Sequence, residues 1–236
     1  MKKTTFGLAF VAALVATPTL AADLGRMPAK APVYAPAPPP LLWNGFYVGA
    51  QIGWAWGNDH SREFVTATGA LTGADPGFDP DGIIGGIHLG YNVQLSTIVL
   101  GLEGDFEASG VDGAVTNVFG VTTDFENRWQ GSIRGRVGAA FGPTLLYVTG
   151  GVAFADLRYR YFTVATPVES FRDTKAGWTI GAGAEFAFSP RWSTRLEYRY
   201  TDFGRVTNAS LVGSPTFSYR HDPEFHTVRL GVSYHF

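Results

Sequence analysis

Residues 225–236 alternate strictly between two kinds of side chain. Val228, Leu230, Val232, Tyr234 and Phe236 fall on one side of a period-two ladder, and Thr227, Arg229, Gly231, Ser233 and His235 on the other. Successive side chains of a strand point to opposite faces, so this segment has one apolar wall and one polar wall. A strand of that kind suits a partition between hydrocarbon and a polar lumen.

Seven earlier segments repeat the pattern, near 46–56, 83–93, 98–107, 128–137, 146–154, 178–188 and 192–200. Their connections alternate in length. Those at 94–97, 142–144 and 189–191 are tight, and those near 57–82, 107–127, 156–174 and 202–224 are long and polar. Eight strands joined in this way predict an all-β chain, an eight-stranded antiparallel up-and-down transmembrane barrel over 43–236 with both termini on the short-turn side. A soluble barrel of the lipocalin type would reverse the polarity, with apolar residues inside. The aromatic residues favour the membrane. Trp43, Phe46, Trp192, Tyr234 and Phe236 gather near the short turns, and Trp54, Trp56, Trp129, Trp178, Tyr198 and Tyr200 near the long links. Two such girdles around an aliphatic band are what anchoring at both headgroup levels requires.

The N-terminus reads as processing and spacing. Lys2 and Lys3 precede an apolar run at 6–15, and small residues then lead to a cleavage site between Ala21 and Ala22. Residues 1–21 are therefore expected to be a signal peptide. The apolar run is too short to span a bilayer as a helix. Residues 22–42 carry Pro28, Pro32, Pro36, Pro38, Pro39 and Pro40, which predicts a disordered, extended periplasmic linker. Arg26 and Lys30 on that arm could touch peptidoglycan. The chain has no cysteine, which excludes disulfides and thiolate–metal chemistry. Without the first 21 residues Lys+Arg falls from 18 to 16 against 20 Asp+Glu, and this mild acidity gives no reason to expect nucleic acid.

The polar faces carry the candidate functional residues. Glu103, Asp105, Glu107, Glu185 and Glu197 are expected to share the lumen with Arg128, Arg134, Arg136, Arg195, Arg199, Arg229 and His88. An eight-stranded barrel leaves room only for side chains, so these charges must pair and hydrogen-bond. A three-residue turn at 189–191 places Glu185 opposite Arg195, and a two-residue turn at Leu95-Ser96 places His88 opposite Glu103. The network reads either as a stabilising plug or as the lining of a narrow ion path whose pairs exchange.

Chemistry elsewhere is thin. His60 and His221 lie in different loops beside Asp59 and Asp222, without the spacing of a metal motif. His226, with Ser210 and Ser218, could be drawn as a lipid hydrolase. Asp75, Asp79 and Asp81 do not have EF-hand spacing, and turn formation is the simpler account. No cofactor is expected. The long loops form the natural contact surface for lipopolysaccharide, phage or host molecules.

Three motifs carry a resemblance. Trp43-Asn44-Gly45-Phe46-Tyr47-Val48-Gly49, Gly177-Trp178-Thr179-Ile180-Gly181-Ala182-Gly183 and Glu197-Tyr198-Arg199-Tyr200-Thr201-Asp202-Phe203-Gly204 resemble the small outer-membrane barrels of alphaproteobacteria, the RopB-type relatives of the OmpA transmembrane domain. The resemblance covers roughly 43–236. It implies an abundant envelope protein and surface antigen, often called a porin, inserted by the barrel-assembly machinery that reads a C-terminal aromatic such as Phe236.

Overall fold

The computed structural model describes residues 43–59, 62–65, 67–73, 79–116, 122–163, 166–204, 206–209, 217–221 and 223–236. The expected signal peptide with Ala21 and Ala22, the linker at 22–42, His60, Asp75, Ser210 and Asp222 lie outside the described residues, as do the side chains of Asp59, Ser218 and His221.

Twelve strands are described: β1 (Gly45–Asp59), β2 (Arg62–Val65), β3 (Leu71–Gly73), β4 (Asp81–Leu95), β5 (Ile98–Thr116), β6 (Thr122–Phe141), β7 (Thr144–Thr163), β8 (Thr166–Ser189), β9 (Trp192–Asp202), β10 (Val206–Ala209), β11 (Phe217–His221) and β12 (Pro223–His235). Eight of them close a barrel in the order β1-β12-β9-β8-β7-β6-β5-β4, with every neighbouring pair antiparallel. The remaining four form a separate sheet, β10-β11-β2-β3, drawn from the β1–β4 and β9–β12 connections.

Closure gives every barrel strand two partners, so backbone hydrogen bonds are satisfied along the wall without water. The outward face between the two ends is apolar. Phe46, Ile52, Ile87, Leu102, Ile133, Val148, Ile180, Leu196 and Leu230 are among its exposed side chains. This belt is the lipid-facing surface that the alternation predicts.

The tight connections are shorter than the sequence suggests. Leu95 pairs with Ile98, so the turn residues are Ser96 and Thr97, and Ser96 takes a left-handed φ of 58°. A two-residue hairpin needs such a residue to match the strand twist. The register therefore differs by two from the expected one. His88 faces Asp105, and Glu103 faces Gly90. At the β8–β9 turn Ser189 pairs with Trp192, and a bulge between Ala187 and Ser189 supplies the extra residue. Glu185 thus does face Arg195, through a two-residue turn and a bulge rather than a three-residue turn.

The long connections are corrected as well. Those at 107–127 and 156–174 are mostly strand, since β5 pairs with β6 up to Thr116–Thr122 and β7 with β8 up to Thr163–Thr166. β4 and β9 stop lower on this sheet, at Asp112 and Trp178 respectively. The four strands β5 to β8 therefore continue past the rest of the barrel. Toward this end the lumen turns apolar: Ile84 of β4 and Phe225 of β12 join Val111, Phe125, Leu157, Tyr159 and Phe203 in a buried cluster, and on the extended strands the polarity reverses, with Asp112, Arg128 and Arg172 exposed. Apolar residues inside and charges outside are the signature of a wall in water, so the reversal marks where the barrel leaves the membrane.

Candidate functional site: a charge-filled lumen

The polar face of the alternation builds the lumen. Arg134 on β6 is its hub. It forms an ion pair with Glu103, reaches Asp105 and Glu197 at 3.0 Å each, and donates to Thr149 at 3.2 Å and Ser132 at 3.0 Å. Arg195 holds the second oxygen of Glu103 at 2.5 Å and donates to Gln51 at 2.5 Å. Arg199 bridges Glu197 at 2.8 Å and Asp105 at 3.1 Å. Arg136 binds Glu185 at 2.8 Å and lies over the Tyr147 ring, 4.2 Å from its centroid. Arg229 grips Glu107 with two bonds of 2.9 Å, and Gln51 and Gln130 donate to the same carboxylate at 2.7 Å. Tyr47 donates to Glu103 at 2.7 Å and Tyr147 to Glu197 at 2.8 Å.

The network balances. Arg134, Arg136, Arg195, Arg199 and Arg229 meet Glu103, Asp105, Glu107, Glu185 and Glu197, with side chains at most 3% exposed. Buried charges are tolerable when each is paired and its remaining hydrogen-bonding sites are used. Cross-strand glycines supply the room. Tyr47, Tyr147, Arg134, Arg136, Arg195 and Arg229 each face a glycine on an adjacent strand, respectively Gly90, Gly183, Gly151, Gly101, Gly231 and Gly53.

Two expected site residues, Arg128 and Trp43, are placed elsewhere, and His88 keeps its place in the lumen but not its expected partner. Arg128 is exposed, because three steps of β6 from Asn127 to Gln130 match only two of β7, from Leu157 to Ala155. This one-residue bulge switches the inward positions from even to odd numbers and turns Arg128 out. Its only sequence cue is Phe125, an apolar residue between Asp124 and Glu126. Since Arg128 touches none of the lumen acids, Arg128→Gln is expected to change stability by no more than about 0.5 kcal/mol in a denaturant titration. Trp43 is 3% exposed and lies in the short-turn mouth with Val99, Ala140, Leu145 and Tyr147, not in the outer girdle. Its odd number matches the inward positions of Tyr47 and Gln51, so the parity of the alternation points away from the outer girdle. His88 is fully buried and its Nε2 bonds the Ser233 hydroxyl at 2.8 Å, not Glu103. Glu185 and Arg195, although opposite, use other partners: Glu185 binds Arg136 and Ser193, and Arg195 binds Glu103.

The other girdle residues do face outward. Phe46 packs on Tyr91, Trp129 on Phe106, Trp178 on Tyr200, and Trp192 on Tyr234, which in turn meets Phe236. Trp54 is 47% exposed, and Trp56 and Tyr198 flank His226. Gln51, Tyr47 and Tyr147 were legible only as members of the polar face. Their place in the network depends on register.

A closed barrel with a lipid-facing belt and a paired polar interior defines an integral β-barrel membrane protein. The chain belongs to the family described as outer membrane protein beta-barrel domain, whose model matches residues 9–236. It is 34% identical over 246 residues to the 31 kDa outer-membrane immunogenic protein of Brucella melitensis, a match covering 97% of this chain and 98% of that protein. It is 34% identical over 205 residues to the 22 kDa outer membrane protein of Rhizobium leguminosarum bv. viciae, covering 86% of this chain and 82% of the relative. The solved structure of OprG from Pseudomonas aeruginosa shares the fold, with a TM-score of 0.51 and 12% identity over 82% of this chain and 97% of OprG. The protein resides in the outer membrane, among the small alphaproteobacterial barrels that its three motifs resemble.

Proposed function

We propose that this protein is a structural, non-enzymatic barrel that contributes to envelope integrity and makes surface contacts through its extended hairpins. The observation that carries this reading is the sealed lumen. The charge network lies between two apolar clusters, one around Val99 and Leu145 at the short-turn end and one around Phe125 and Phe225 at the other. Such layers exclude the hydrated ions that a conducting path requires. The short-turn end faces the periplasm with both termini, after export and cleavage of residues 1–21. The belt contacts lipid and lipopolysaccharide, Phe236 is read by the assembly machinery, and the linker at 22–42 is free to touch peptidoglycan. The β5–β6 and β7–β8 hairpins stand outside the cell, where a surface antigen would be seen. The Brucella relative's description as immunogenic agrees with that placement.

A narrow pore is the second reading. A small cavity lined by Asp105, Ser132, Arg199 and Arg229, and by the apolar Ala153 and Phe203, favours it, because pairs beside a void have room to move. The lipid-hydrolase reading has less support, because His226 sits among Trp56, Tyr198 and Tyr200 with its Nδ1 2.7 Å from the Tyr198 hydroxyl. A strain lacking the protein separates the first two. Greater detergent sensitivity and leakage of periplasmic proteins, reversed by the intact chain, are expected. Slower uptake of small solutes through an otherwise sound envelope would replace the structural reading with the pore.

A further inference from the structure

The outward positions just beyond the upper aromatic girdle are charged, and the two signs are sorted onto different walls of the barrel. On β1, β12 and β9 the girdle residues Trp56, His226 and Tyr200 give way to Asn58, Glu224 and Asp202 at the next outward positions. Glu224 stands directly opposite Asp202 across the β12–β9 pair, and Asp81 of β4 directly opposite Asp112 of β5. None of these four carboxylates has an ion-pair partner among the described residues. No cation of their own strands can reach them from this face. β1 and β4 contain no lysine or arginine, and the arginines of β9 and β12, Arg195, Arg199 and Arg229, are buried in the lumen.

The outward arginines of the barrel strands at this end stand on β6, β7 and β8. Arg128 lies beside Trp129, Arg158 and Arg160 follow Phe154, and Arg172 lies beyond Trp178. Arg158 and Arg172 are directly opposite across the β7–β8 pair. Asp124, Glu126 and Asp156 share this wall, and the last two are ion-paired with Arg160 and Arg172. Arg128 and Arg158 are left without a carboxylate in ion-pair distance among the described residues. Like charges directly opposite on neighbouring strands are destabilising, so each wall lacks a counter-charge that its own barrel does not supply. The two walls also face away from each other. In the closed order of eight strands, β1 lies four places from β7, and β4 four places from β8.

We propose that the partner of each wall is a second copy of this chain: the arginine wall of one barrel docks on the acidic wall of the next, so that the protein forms head-to-tail rows in the plane of the outer membrane. The membrane itself restricts the choice. The girdles hold every copy at one depth and in one orientation, so the charged levels of neighbouring barrels meet. A two-fold contact about the membrane normal would set acid against acid or arginine against arginine. A heterologous contact sets Arg128 and Arg158 toward Asp81 and Glu224, and because the two walls are diametrically opposed it propagates as an open row and does not close a ring. Single exposed ion pairs are weak, but several act together here, and confinement to a membrane raises the effective concentration of the partner.

The chain has no cysteine, so a single introduced thiol marks one wall. Asn58→Cys, opposite Glu224, marks the acidic wall, and Thr174→Cys, opposite Asp156, marks the arginine wall. The two full-length variants, carrying different epitope tags, are co-expressed in the outer membrane of intact cells and cross-linked with a short bis-maleimide. The mixed product should exceed the geometric mean of the two self-products by at least about fivefold, after allowance for the two ways of forming it. Arg128→Glu with Arg158→Glu in the Thr174→Cys chain should abolish that excess. Asp81→Arg with Glu224→Arg in the Asn58→Cys chain should restore it, because the pair of walls is again complementary. Heat-modifiable migration checks that each variant is folded, and where a reversed variant is not, the product ratio of the two single-thiol chains decides. A mixed product at the geometric mean, an excess that survives the arginine reversal alone, or dominance of either self-product would each overturn the rows.

Discussion

Arg134→Ala is expected to destabilise the folded barrel by about 3–5 kcal/mol, because it leaves buried carboxylates without their shared cation. Glu103, Asp105 and Glu197 all lean on this guanidinium. Arg195 still holds Glu103, and Arg199 still holds Asp105 and Glu197, so the barrel should remain foldable. The loss should appear as a lower urea midpoint for the change from compact to unfolded gel migration. The Arg229–Glu107 pair provides the comparison, because Arg229 has no other carboxylate within ion-pair distance among the described residues. Arg229→Met alone should cost a similar amount. Adding Glu107→Gln removes the stranded charge, and the double variant should recover to within about 1–2 kcal/mol of the parent. If the single and double variants were equally destabilised, the network would not be held by charge balance.

A second large effect is expected where two neighbouring glycines face opposite ways. Gly151 points into the lumen opposite Arg134, and a Cβ there would strike the Ile133 carbonyl oxygen and stand 2.7 Å from the Arg134 Cα. Both are backbone or near-backbone atoms, which cannot swing aside. Gly150 points outward, and a Cβ there would meet nothing closer than 3.6 Å. Gly151→Ala should therefore cost about 2–3 kcal/mol through overpacking. Gly150→Ala should be neutral or slightly stabilising, since it only restricts the unfolded chain. The same urea titration checks both. Similar losses at the two positions would mean that strand propensity, not lumen space, explains the glycines.

The barrel was legible because a membrane wall enforces one rule along every strand. The alternation in Phe46 to Trp56 or Val228 to Phe236 needs no tertiary information, since lipid on one side and packed charge on the other select each residue separately. Most of the charge network followed from the same parity. What failed was whatever depends on a single inserted or omitted residue. One bulged residue turned Arg128 outward, and the choice of Ser96-Thr97 over Leu95-Ser96 moved His88 from Glu103 to Asp105. Period-two patterns carry no marker for such shifts, and a slip changes every partner at once. The reversed polarity above the membrane was hidden for a related reason. Phe125, Leu157 and Tyr159 alternate as membrane residues do, but they point the other way. Partner identity inside the lumen was beyond the sequence too, because arginine reaches across the barrel. Glu185 and Arg195 are neighbours by register, yet each is bonded elsewhere.

The central claim is that the lumen is a plug. Its most direct test is single-channel conductance of the chain without residues 1–21, refolded into a planar bilayer with folding checked by heat-modifiable migration. A silent bilayer is expected for the parent protein. Reproducible current steps whose size or selectivity changes with Arg136→Gln would make the paired charges the lining of a pore and contradict the account.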